Sequence, residues 1–274
     1  MKNFSTESLA TLLRDDDPSV ITLVKEQLYE QGLEDIVTLR GMSGSGDILV
    51  DQHLNEVIAR IEHELFQEEF LLYCHGFPLD GDLEDACWKL AKLSFTGSDE
   101  KQGRKLLDEW AGVVNIRLSQ AKDTLAGINI LADFLTRDLG FKGNTQNYYH
   151  TDNNYINRVL ETRCGIPISL SLIYLLIGRR LNLPLKGIGM PGHFICAWNN
   201  VYFDPFKGGK VLHREECVNL CKEFGYTFQD HYLNPISNKF ILARMINNLQ
   251  YVYEMGGQHD HHLLMMNYLN ALQA

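Results

Sequence analysis

Cys164-Gly-Ile-Pro-Ile-Ser169-Leu-Ser171-Leu-Ile-Tyr-Leu-Leu-Ile-Gly-Arg-Arg-Leu181 carries the centre of this chain. Pro167 suits the first turn of a helix, where a missing N–H costs nothing. Ile168, Leu172, Leu175 and Leu176 then share one face, so the helix is expected to be central and buried. A helix start points unpaired N–H groups and a partial positive charge at whatever lies in front of it. A thiol placed there has its pKa lowered. Cys164 stands just before the helix, and Ser169 lies inside its first turn.

The segment that follows changes texture. Leu185–Met190, Phe194–Trp198 and Val201–Asp204 read as strands, with Asn199-Asn200 joining the last two. A two-residue turn there pairs Trp198 with Val201, so that Ile195 faces Asp204 and His193 faces Phe206. His193 and Asp204 become diagonal neighbours on one face, within reach of each other. A carboxylate so placed orients an imidazole, the second half of a nucleophile–base–orienter relay. A three-residue turn would set the two side chains on opposite faces.

Outward from this centre the pattern is helical. Ser5–Leu13, Pro18–Gln31 with Asp17 as its cap, Leu54–Gln67, Leu83–Leu93, Gly103–Leu118 and Asp123–Leu139 carry helical apolar spacing. Gly41-Met-Ser-Gly-Ser-Gly46 reads as a flexible break. Glu215–Phe224 is helix-like, and from Lys239 two amphipathic helices flank Gly256-Gly257. The fold class is α+β: a helical N-terminal half, a small antiparallel sheet near residues 185–213, and a helical C-terminal tail.

Composition narrows the function. Over 274 residues, 25 Lys and Arg stand against 35 Asp and Glu, a net charge of −10. That balance argues against nucleic acid, whose binding depends on neutralising phosphates, and against docking on an anionic membrane. The longest nearly apolar run, Leu170–Gly178, is too short to cross a bilayer, and the N-terminus has no signal-like stretch. Six cysteines, none in CxxC spacing, read as reduced thiols in a cytoplasm. Cys217 and Cys221 share one helix face, the spacing of packed core thiols. His259-Asp-His-His262 is explained as an exposed polar segment without a metal, and no motif implies a cofactor.

Several ordered motifs carry a resemblance. Tyr148-Tyr149-His-Thr-Asp-Asn-Asn154-Tyr-Ile-Asn-Arg-Val-Leu-Glu-Thr-Arg-Cys-Gly-Ile-Pro-Ile-Ser-Leu-Ser resembles the SirB-type branch of the transglutaminase-like superfamily, which shares a papain-like core. Pro191-Gly192-His193-Phe194, Asp204-Pro-Phe-Lys-Gly-Gly209, Asp82-Leu-Glu-Asp-Ala86 and Leu242-Ala-Arg-Met-Ile-Asn-Asn-Leu249 fit the same pattern, over roughly residues 75–255. The helical spacing sets off a helical region at 1–74, and the resemblance implies a transglutaminase-like core at 75–236 and a tetratricopeptide-like hairpin remnant at 237–274. In the wider superfamily a Cys at a helix start attacks an acyl group, a His is its base and an Asp orients the His. His193 and Asp204 match the last two. The nucleophile window falls in Gly165–Ser169 and holds Pro167 and Ser169, with Cys164 beside it.

Two readings follow. In one, the chain is an acyl-transfer enzyme, with His193 as base, Asp204 as orienter and Cys164 or Ser169 as nucleophile. In the other it is a non-catalytic binding or regulatory module that keeps the His–Asp pair. Pro167 in the nucleophile window favours the second, which is the reading taken. Tyr149, Asn154 and Gly192 are the expected binding residues, the partner is a protein or peptide, and the tail packs on the core or forms a homodimer contact.

Overall fold

A computed structural model describes residues 8, 11–44, 46–95 and 99–274, which divide into two compact units, 1–70 and 71–274. The helix expected from Ser5 to Leu13 lies largely outside the described residues.

In the first unit Asp17 caps α1 (Pro18–Glu34), taking the Ser19 N–H at 2.8 Å, with Pro18 at the first helical position. Asp35 ends α1 and caps α2 (Ile36–Met42) through the Thr38 N–H at 3.1 Å. Val24, Leu28, Leu39, Leu54, Val57 and Ile61 form its core. Gly32 allows the closest approach there, since a Cβ would stand 2.2 Å from Leu39 and 2.5 Å from Ile61. The break expected at Gly41–Gly46 is tied down: the Asp51 carboxylate accepts from Gly44 N–H and Gly46 N–H, at 3.0 and 3.2 Å. The following helix, α3 (Ile48–Gly76), far outruns the expected Leu54–Gln67. Its apolar spacing continues past the charged run Gln67-Glu-Glu through Phe70 and Cys74, both buried.

The second unit is α+β. Asp82, Asp99 and Asp123 cap α4 (Leu83–Lys92), α5 (Glu100–Leu118) and α6 (Thr124–Asp133), so each start is written in the sequence as an Asp before an apolar-periodic run. Short strands β1 (Lys142–Gly143) and β2 (Cys164–Gly165) pair in parallel around α7 (Ile156–Thr162). Then comes α8 (Pro167–Arg180), buried along nearly its whole length. Strands β3 (Leu185–Ile188), β4 (Ile195–Trp198), β5 (Val201–Asp204) and β6 (Lys210–Leu212) form an antiparallel meander in that order.

One sheet face meets the central helices. Cys196 Sγ lies 3.8 Å from the Ser171 carbonyl, Phe203 and Tyr174 rings are 5.6 Å apart, and Trp198 closes on Gly127. The other face, Ile188, Ile195, Ala197 and Leu212, packs on Cys217, Leu220 and Cys221 of α9 (Arg214–Glu223). Burying each of the Ile and Leu side chains among these contributes roughly 1.5–3 kcal/mol. The C-terminal end of α8 is fixed by charge: Arg179 bonds Asp82 at 2.6 and 2.8 Å, and Arg180 bonds Glu84 twice at 2.8 Å.

The tail forms α10 (Asn238–Met255) and α11 (His259–Gln273), and it packs on the core. Tyr253 and Tyr155 hydroxyls meet at 2.6 Å, Cys87 Sγ lies 3.6 Å from Met245 Sδ, and Asn238 Nδ2 donates to the Gly81 carbonyl at 2.9 Å. His261 stacks on Tyr253, and His262 Nδ1 lies 3.3 Å from the Gln250 carbonyl oxygen. No helix among the described residues is long and apolar enough to cross a membrane.

Candidate functional site

The β4–β5 hairpin builds the site. Asn199 takes a positive φ of 46°, which Asn tolerates better than most residues and which a tight two-residue turn requires. The register is Trp198 to Val201, Ala197 to Tyr202 and Cys196 to Phe203. It brings His193 and Asp204 together: Nε2 and Oδ2 are 2.8 Å apart, with both side chains buried. Asp204 Oδ1 faces away and accepts from the Phe206 and Lys207 N–H groups at 3.0 and 3.4 Å, capping the helical turn Pro205–Lys207. One carboxylate thus holds the imidazole and starts the next turn.

The imidazole is clamped on its other sides. Phe224 stacks against its face and Phe206 meets it edge-on, each with ring centroids 6.2 Å away. Gly192 makes the stacking possible. Its φ is +72°, and a Cβ there would fall 2.3 Å from Phe224. Arg244 Nη2 donates to the His193 carbonyl at 2.8 Å, anchoring the loop to α10. Among the described residues nothing bonds to His193 Nδ1.

His193 and Gly192 line a cleft of about 620 Å³. The start of α8 (Ile166, Pro167, Ile168), Tyr148, and Arg244 with Asn247 and Asn248 of α10 form its other walls. The helix start therefore faces the same space as the imidazole. What stands at that start is Pro167; among the described residues no Cys, Ser or Thr lines the cleft.

Other sequence-selected residues lie elsewhere. Ser169 is buried, and its hydroxyl serves backbone: it accepts from Ile166 N–H at 3.0 Å and donates to the Asn153 carbonyl at 2.5 Å. Gly165 leaves room for it, since a Cβ would stand 2.6 Å from the Ser169 oxygen. Cys164 sits on β2, paired with Lys142, and is half-buried outside the cleft lining. Tyr149 is exposed, with its ring between Tyr148 and Tyr251, and does not line the cleft; Tyr148 does. Asn154 is buried behind the loop, where its Nδ2 bonds the Thr151 carbonyl at 3.4 Å, because the helical turn Thr151–Asn154 folds inward. Of the three expected binding residues, Gly192 alone faces the cleft.

The remaining five cysteines are buried, and burial pushes the thiols up, to about 11 for Cys217 and about 12 for Cys74 and Cys196. Among the described residues no cluster of His, Cys, Asp and Glu could hold a metal ion. Arg244 and Phe224 were not expected. A lone cation among the apolar positions Ile241, Leu242, Met245 and Ile246 was the signal available for Arg244; Phe224 had none.

Known proteins place the chain. A UPF0162 protein of Xylella fastidiosa is 38% identical over 130 residues, 44% of this chain and 46% of that protein. A UPF0162 protein of Vibrio cholerae is 30% identical over 153 residues, 50% of this chain and 57% of that one. F-box only protein 21 of Mus musculus is 37% identical over 123 residues, 40% of this chain and 19% of its own length. The chain thus spans about half the length, or less, of these curated relatives, and no solved structure gives a significant match. Residues 101–247, more than half of the chain, match the family model described as transglutaminase-like superfamily, and they contain His193, Asp204 and the start of α8: the chain belongs to the transglutaminase-like superfamily.

Proposed function

We propose that this chain is a SirB-type member of the superfamily whose cleft binds a segment of a partner protein or peptide without reacting with it. One observation carries the reading: the helix start that faces His193 presents Pro167, and among the described residues no Cys, Ser or Thr lines the cleft. A base and its orienter without a nucleophile in reach cannot form an acyl intermediate. The pair then serves architecture, holding the Pro191–Phe194 loop against Phe224 and α10.

A second reading, thiol-dependent acyl transfer, draws support from Cys164. Of the six thiols it is the one not fully buried, and it lies three residues before the start of α8. Iodoacetamide alkylation of the native chain, read site by site by mass spectrometry across pH and repeated in His193→Ala, separates the two. The binding reading expects Cys164 to react as an ordinary accessible thiol, with the same pH profile in both proteins. Rapid reaction at mildly acidic pH that disappears in His193→Ala would mark a thiolate–imidazole pair and replace the binding reading with the enzyme.

A further inference from the structure

The cleft is cationic inside an acidic chain. Among the described residues no Asp or Glu lines it, although the net charge is −10. Its charged wall is Arg244, whose Nη2 donates to the His193 carbonyl and whose guanidinium lies over the Phe194 ring, with no ion pair among the described residues. Arg179 and Arg180, which also bridge elements, meet Asp82 and Glu84; Arg163 shares the lack of a carboxylate but lies on the Trp110 and Phe141 rings, outside this cleft. Burial pushes the Arg244 guanidinium below its ordinary value, the mark of a cation held out of water without an anion to compensate it. A half-buried guanidinium with free donors is a costly arrangement that an anionic ligand relieves.

A second feature points at the same space. Ile166, the capping residue of the 14-residue α8, and Pro167 and Ile168, its first two residues, line the cleft. Among the described residues the Ile168 N–H donates to no protein acceptor. Helix starts carry partial positive charge and present such N–H groups to anions. Apolar walls from Phe194, Ile236, Phe240 and Leu269 lie between and beside these donors, as suits a short peptide rather than a free ion.

Resting on the binding reading above, we infer that the cleft recognises a carboxylate of a bound peptide, held between Arg244 and the start of α8. A planar carboxylate matches the fork of donors a guanidinium offers. The carboxylate can be a chain terminus or an acidic side chain.

The test uses the full native chain, 15N-labelled, with three mixtures of acetylated tripeptides: one with free C-terminal carboxylates, one with amide ends, and one amide-ended with a central Glu. Arg244 Nε–H and the backbone N–H of Ile168 and His193 are followed by NMR. The expected result is saturable shifts of these signals with at least one carboxylate mixture, at an affinity about tenfold above the amide blank, near the worth of one charge-assisted pair. The free-carboxylate and Glu arms tell the two sources apart. Arg244→Gln should remove the preference for acid over amide, and Arg244→Lys should restore part of it. Equal binding of acid and amide mixtures would overturn the carboxylate site while leaving a binding cleft. No cleft shift with any mixture would overturn both, and because the acid–amide comparison is made in the native chain it stands even where a variant fails to fold.

Discussion

Asp204 holds His193 with one carboxylate oxygen and the Pro205–Lys207 turn with the other. Both side chains are buried, so the bond is made where an unpaired charge is expensive. Truncation should therefore cost stability first. Asp204→Ala is expected to lose about 3 kcal/mol, combining a buried partner left unpaired with a lost cap. Asp204→Asn keeps the cap and should lose clearly less. Urea denaturation of the three proteins checks the order; equal losses would mean that the cap contributes nothing.

Ser169 occupies the first turn of α8, but its hydroxyl is spent on Ile166 N–H and the Asn153 carbonyl. Ser169→Ala strands both groups in a buried place and should cost about 1–3 kcal/mol. The same variant should leave the alkylation profile of Cys164 unchanged. A variant as stable as the parent would remove the structural role assigned to this hydroxyl.

The acid limb of stability should report the Asp82–Arg179 pair. The Arg179 side-chain hydrogen bond, together with the helix N–H groups, holds the Asp82 carboxyl down to about 2, below its ordinary value. A depressed carboxyl contributes stability that is complete above the unfolded value and is lost as pH falls through the folded one. The stability gap between parent and Asp82→Asn is thus expected to be full above about pH 4 and to close toward pH 2. Both side chains are partly solvent-exposed, so the gap is modest. Urea midpoints at stepped acid pH provide the measurement, and a pH-independent gap would assign the pair no role.

On the alkaline side the buried thiols act in the opposite sense. Cys217 is raised to about 11 and Cys74 and Cys196 to about 12, each by burial first. The unfolded chain ionises its thiols near their ordinary value, so stability is complete below about pH 8.5 and declines as pH rises above it. Cys196→Ala should start less stable, from the cavity left in the sheet face, and show a shallower alkaline slope. Parallel slopes in the two proteins would count against thiol linkage.

Much of this architecture was legible locally. Asp17, Asp82, Asp99 and Asp123 announce helix starts because a short carboxylate satisfies N–H groups two and three residues ahead. Asn199-Asn200 announces a two-residue turn, and strand alternation then dictates that His193 and Asp204 share a face. The end of α3 was harder to read, because Gln67-Glu-Glu looks like a stop when taken alone and like an exposed helix face once Phe70 and Cys74 are seen to be buried.

The site divides the same way. By itself the sequence determined the α+β class, the central α8 and the His193–Asp204 pair, since each depends on residues within one helix or one hairpin. Only the tertiary structure decided what those residues face. Asn153 reaches Ser169 across 16 positions, Phe224 stacks on His193 across 31, and Arg244 reaches the His193 carbonyl across 51. Contacts at such separations follow from how whole elements pack, a property of the assembled core that no local pattern of side chains encodes.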